Sequence, residues 1–145
     1  MNPEVQSSPP PCTAQRSIVA LCCRECAYAA ADSAANMRMP LPPSVRLVLV
    51  PCTGRVSPLH MVEALAQGAD GVIVAGCLKG QCHYREGNLN AIDRVTLAQR
   101  LLEAVGVEPQ RIQMFTTSAG ELHRMAAAMR EMDRVIGALP PVPRN

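Results

Sequence analysis

Cys23 and Cys26 are separated by two residues, Cys77 and Cys82 by four, and Cys52 stands about midway between the pairs. Thiolates at such spacings bind zinc or iron, or work as a redox-active dithiol. Cys23-Arg24-Glu25-Cys26 alone suits a thioredoxin-like dithiol, because a helix N-terminus lowers a thiol's pKa. That reading leaves Cys52, Cys77 and Cys82 unexplained. Four thiolates also suit a structural zinc, although such sites chiefly tie together chains short of core. The third reading is an iron–sulfur centre. Thiolates held on several loops of a rigid sheet bind iron with little reorganisation, and backbone N–H groups and nearby cations meet the negative charge. Arg24, Arg55, Lys79, His83 and Arg85 lie in the same segments, though each read singly is ordinary loop charge. Cys22 reads as core packing, since free cysteine behaves as a small hydrophobe. Cys12 reads as an incidental exposed thiol.

The elements that must position these thiols follow from the pattern around them. The apolar run Ser17 to Leu21 is a strand buried on both faces, and the Ala-rich stretch Glu25 to Asn36 after it favours a helix. Val45 to Val50 is a second strand, ending at Pro51-Cys52. Ser57 then caps a helix with Pro58 at its first position, and Gly68 ends it. Val72 to Ala75 is a third strand that runs into Gly76-Cys77. A long helix over about Leu89 to Val105 carries Ile92, Val95, Leu97, Leu101, Leu102 and Val105 as its apolar positions. Arg111 to Thr116 is a weaker fourth strand, after which Ser118 and Glu121 predict a capping box for a last helix. Strand and helix alternating four times predict an α/β, flavodoxin-like, three-layer domain with a four-stranded parallel sheet. Ligands of such sheets bind beyond the carboxyl ends of the strands, and the cysteines fall on that edge.

Size and composition narrow the classes further. The 145 residues form one expected domain over 17–139, with a disordered tail at 1–16 and a short one at 140–145. A net charge of +2, no basic run and three aromatic residues in all argue against nucleic-acid binding. No apolar stretch reaches the roughly 20 residues of a membrane span, and the N-terminus has no basic region of a secretory signal. A cytoplasmic setting, where thiols stay reduced, is therefore expected, and it turns seven cysteines toward metal or redox chemistry. His60 and His123 lie on helices and read as surface or core. His83, beside Cys82, reads as a hydrogen-bond donor to sulfur or part of a docking surface. Neither a dinucleotide fingerprint nor a P-loop is present.

Several motifs in order carry a resemblance over about Ile18 to Val135. They are Cys22-Cys23-Arg24-Glu25-Cys26-Ala27-Tyr28, Val50-Pro51-Cys52-Thr53-Gly54-Arg55-Val56, Gly68-Ala69-Asp70-Gly71-Val72, Gly76-Cys77, Gly80-Gln81-Cys82-His83-Tyr84 and Gly87-Asn88. The chain resembles the delta subunit of methyl-viologen-reducing (F420-non-reducing) hydrogenase. The resemblance implies an electron-transfer subunit with one [2Fe–2S] cluster, relaying electrons between partner subunits. In the family these are a hydrogenase and a flavin-containing heterodisulfide reductase, where the substrate chemistry is done. The family's cysteines match Cys23, Cys26, Cys52, Cys77 and Cys82, so four of these five are the implied ligands. An acid and a histidine common between the last two cysteines are Gln81 and Leu78 here, and the family's Ser-Ala stretch with its Glu appears as Ser118-Ala119-Gly120-Glu121. A structural zinc module for assembly, and a thiol–disulfide protein using Cys23/Cys26, remain the alternatives.

Overall fold

The structure, a computed structural model, describes residues 16–144. Cys12 and the expected tail, apart from Arg16, lie outside the described residues. Four strands, β1 (Ile18–Cys23), β2 (Val45–Val50), β3 (Gly71–Cys77) and β4 (Ile112–Thr117), pair in parallel in the order β2-β1-β3-β4. This is the first four strands of the flavodoxin-like order. The chain steps from β1 out to β2 and then back across to β3. Strand order therefore reverses between β1 and β3, and a crevice opens at their carboxyl ends.

Residues alternate sides along each strand, so one sheet serves two cores. Ile18, Ala20 and Cys22 of β1, with Ile73 and Ala75 of β3, pack against α1 (Ala29–Asn36) and α4 (Leu122–Ala138). Val72 and Val74 face α2 (Pro58–Ala66) and α3 (Gly87–Ala104). α1 presents Ala30, Ala31 and Ala34, small enough to bring α4 close, and α4 fills the space with Met125, Met129 and Met132. Burying each of these flexible methionines contributes roughly 1.5–3 kcal/mol. Ser57 caps α2 as its sequence predicts. Its hydroxyl accepts from the His60 N–H, and His60 Nδ1 accepts the Ser57 N–H at 3.0 Å. His123 is exposed on α4.

Four local expectations change. The helix expected from Glu25 is preceded by a π-type turn over Arg24–Tyr28, and α1 proper begins at Ala29. β1 runs on to Cys23, so Cys22 and Cys23 are strand residues. On α3 the buried stripe is Ala91, Val95, Ala98 and Leu102, while Ile92, Leu97, Leu101 and Val105 are exposed. Alanine lets this helix lie close on the sheet, a role that weighting by large side chains passes over. Ser118 does not cap α4. Its N–H donates to Glu121 Oε2 at 3.0 Å, closing a turn before the helix starts at Leu122. No helix among the described residues is long and apolar enough to cross a membrane.

Candidate metal centre

The strand registers bring the cysteines together. Cys22 and Cys23 sit opposite Leu49 and Val50 of β2, and Cys22 lies opposite Ala75, two residues short of the end of β3. The strands thus finish nearly level, and each of β1, β2 and β3 delivers a cysteine at or just past its end. Cys23 and Cys77 flank the crevice between β1 and β3. The π-type turn, a feature frequent at functional sites, carries Cys26 into the same pocket with Ala27 buried behind it. The sulfurs of Cys23, Cys26 and Cys77 all lie within 4.8 Å of one another, and all three residues are buried. Cys23 Sγ is 3.6 Å from Cys77 Sγ, and Cys26 and Cys77 are joined as a disulfide. The two sulfurs of the Cys23/Cys26 motif thus share one pocket with that of Cys77. Reduced, all three sulfurs of the pocket offer a ligand.

Cys52 and Cys82 form a second group. Their sulfurs are 3.9 Å apart, and Cys82 packs against the buried three. Cys52 is extended, and a short 3-10 turn over Thr53–Arg55 follows, whose Gly54 N–H donates to the Cys52 sulfur at 3.4 Å. Gly54 and Gly87 press their backbones together. A Cβ on Gly54 would come 2.7 Å from Gly87 Cα, and one on Gly87 would collide with the Cys52 sulfur and sit 3.2 Å from that of Cys82. Only glycine fits at either place. Arg94 clamps the turn from α3, donating to the carbonyls of Gly54 and Val56.

The electrostatics of the two thiols in this second group differ in sign. Burial alone would raise the Cys82 thiol, but backbone N–H groups of Tyr84, Asn88 and Gly87 and the Cys52 side chain outweigh it. Together they hold Cys82 below its ordinary value. These donors belong to the first turn of α3 and the loop before it, where unpaired N–H groups welcome negative charge. Cys52 is shifted up, chiefly by burial, with Cys82 and Cys23 adding and the Gly54 N–H opposing. Cys22, in the core on the far side of β1, is pushed up to about 12 by burial and by neighbouring Cys23. It is a packing residue, as its sequence suggests.

Asn88 is the residue whose role the sequence did not reveal. It is fully buried, donates from Nδ2 to the Cys77 and Leu78 carbonyls at 3.0 and 2.9 Å, and accepts the Leu89 N–H at 3.0 Å. One side chain thus ties the end of β3 to the start of α3, fixing Cys77 relative to the donors around Cys82. The Gly87-Asn88 pair was the available signal. Of the basic residues in the cysteine segments, Arg24, Arg55, Lys79 and Arg85 are exposed around this edge. His83 is exposed and meets Tyr84 edge-on, with ring centroids 5.2 Å apart.

Comparison with known proteins gives this arrangement a context. The chain is 47% identical over 125 residues, 86% of its length and 91% of the relative's, to an F420-non-reducing hydrogenase iron-sulfur subunit from Archaeoglobus profundus. It is 46% identical, over 86% of its length and 95% of the relative's, to the F420-non-reducing hydrogenase vhu iron-sulfur subunit from Methanopyrus kandleri. Over 125 residues, 86% of the chain, it is also 35% identical to 16% of a Methanosarcina acetivorans protein, a subunit of the ferredoxin/F(420)H(2)-dependent CoB-CoM heterodisulfide reductase. In that relative the matching region is one part of a much longer polypeptide. Residues 18–139, which span the whole sheet and all five cysteines of the edge, match the family described as methyl-viologen-reducing hydrogenase, delta subunit, and the chain belongs to that family.

Proposed function

We propose that this chain is an electron-transfer subunit in the cytoplasm, carrying one [2Fe–2S] cluster on four of Cys23, Cys26, Cys52, Cys77 and Cys82. It works between partner subunits of a hydrogenase or heterodisulfide-reductase type, one of them a flavoprotein. The observation that carries this reading is the division of the five sulfurs into two groups. A single tetrahedral ion takes four donors in one mutually close set. Here three sulfurs form such a set, and a separate pair, Cys52 and Cys82 at 3.9 Å, adjoins it through Cys82. A centre with two metal ions, each taking two thiolates, matches that division. Cys52 and Cys82 would hold one iron and two of the buried three the other.

When bound, such a cluster supplies one-electron transfer. The chain's own residues supply the rest. The N–H groups around Cys82 and that of Gly54 stabilise thiolate charge, Asn88 holds the two sulfur groups in register, and burial of Cys23, Cys26 and Cys77 excludes water. Few groups need to move when charge changes, because the donors sit on strand ends and a helix start. A series of single Cys-to-Ser variants, purified without oxygen and assayed for bound iron, tests the assignment. Cys52→Ser and Cys82→Ser should each lose most of the iron, and one variant among the buried three should keep it. Full iron retention in either Cys52→Ser or Cys82→Ser would overturn it.

A further inference from the structure

Cys82 is the one half-buried sulfur of the five, and Cys23, Cys26, Cys52 and Cys77 are buried. Cys52 backs an open cavity of about 540 Å³ whose other walls include Arg55, Tyr84 and Gly87. Arg55 is the cation of that mouth, and others lie in the neighbouring loops. Arg24, Arg55, Lys79 and Arg85 are exposed in the loops after β1, β2 and β3, and none of them is in an ion pair among the described residues. The exposed acids in those loops are Glu25 and Glu86.

The loop beside Cys82 is also built in an unusual way. Arg85 is held at φ 66°, a left-handed conformation that residues other than glycine, asparagine and aspartate seldom adopt. The Arg85 N–H donates to the Cys82 carbonyl at 3.0 Å, and the Glu86 N–H to the Tyr84 carbonyl at 2.9 Å, closing a tight knuckle. This knuckle leaves Tyr84 57% exposed at the rim of the cavity. Tyrosine and arginine are the side chains that most often anchor protein interfaces, and strained backbone is commonly retained where it serves a function.

Resting on the electron-transfer reading, we propose that the mouth walled by Arg55 and Tyr84, with Arg85 next to Tyr84 in the knuckle, is where an electron-carrier protein docks, and that this partner presents a carboxylate-rich surface. Charge complementarity selects the partner and speeds its approach. Docking there sets the partner over the cavity that Cys52 backs and beside Cys82, the one half-buried sulfur of the five.

The test uses the full chain, purified anaerobically, with an acidic ferredoxin as the probe and basic cytochrome c as its opposite. Dissociation constants are measured at low and at physiological salt. Ferredoxin should bind at low salt and weaken by about tenfold at physiological salt. Arg55→Glu/Arg85→Glu should weaken ferredoxin by about tenfold or more and tighten cytochrome c. Arg46→Glu/Arg100→Glu, the same charge change at exposed positions on β2 and α3, should change ferredoxin affinity little. Equal losses in the two double variants, no loss in the first, or tighter wild-type binding to cytochrome c would overturn the proposal. Bound iron is read separately for each protein. A wild-type chain without iron would refute the cluster while leaving the binding result to decide the docking face.

Discussion

The two edges of the sheet treat their polar groups in opposite ways. At the amino edge every demanding group is closed on another. Arg111 is fully buried, and its guanidinium donates to Glu108 at 2.7 Å, to the Asp70 carbonyl at 3.0 Å and to the Pro140 carbonyl. Asp70 accepts the Ser17 N–H and lies near Arg16 and Arg144, which gathers both ends of the described chain. At the carboxyl edge the buried cysteine sulfurs meet mainly one another, and the N–H groups of Gly54, Tyr84, Gly87 and Asn88 gather around two sulfurs. The amino edge is finished by folding alone. The carboxyl edge gathers cysteine sulfurs and N–H donors, and it is there that the proposed cluster would sit.

That contrast predicts that damage to the two edges will separate stability from metal content. The largest separation should come from Gly87→Val, whose side chain must occupy the space of the Cys52 and Cys82 sulfurs. Bound iron and visible absorption should fall to near background while far-ultraviolet circular dichroism still reports a folded sheet. Arg111→Ala should do the reverse. Loss of its ion pair and of the donors to two carbonyls should cost about 2–4 kcal/mol in urea unfolding, with iron per folded chain unchanged.

Asn88→Ala falls between the edges. It strips the Cys77 and Leu78 carbonyls of their donor and should cost about 1–3 kcal/mol. Because Asn88 supports the site from behind, iron should also be lost to a chelator roughly tenfold faster or more. Cys22→Ala should be the mildest of the substitutions, about 1 kcal/mol from a small cavity, with full iron retention. Iron loss in Cys22→Ala would undo the division between packing cysteine and pocket cysteines.

Acid gives the smallest effect and has a defined sign. Hydrogen bonding from Arg111 holds the Glu108 carboxyl below the usual carboxylate range. The stability it contributes is present above the pKa of the unfolded chain and is lost as pH falls through the lower, folded value. Melting temperatures followed from neutral pH into the acid range should therefore drop less steeply for Glu108→Gln than for the parent. Parallel curves for the two proteins would remove Glu108 from the amino-edge clasp.

How far the sequence foretold this molecule depends on what carries the information. Short apolar runs ending at Cys23, Cys52 and Cys77 are local signals, and parallel pairing converts them into one shared edge without further detail. Residue contrast misled on α3, where Ala91 and Ala98 do the packing and the larger Leu97, Leu101 and Val105 stay outside. The π-type turn at Arg24–Tyr28 has no mark in a stretch whose composition favours an ordinary helix. Arg111 and Asn88 act across 41 and 11 residues of chain respectively, through hydrogen bonds that periodicity does not encode. The sorting of five cysteines into three and two is likewise a fact of three dimensions.

Iron and acid-labile sulfide, counted together with zinc in chain purified without oxygen, address the central claim most directly. A sulfur pocket built for a two-iron centre predicts about two iron and two sulfide per chain and negligible zinc. One zinc per chain with no labile sulfide would contradict it.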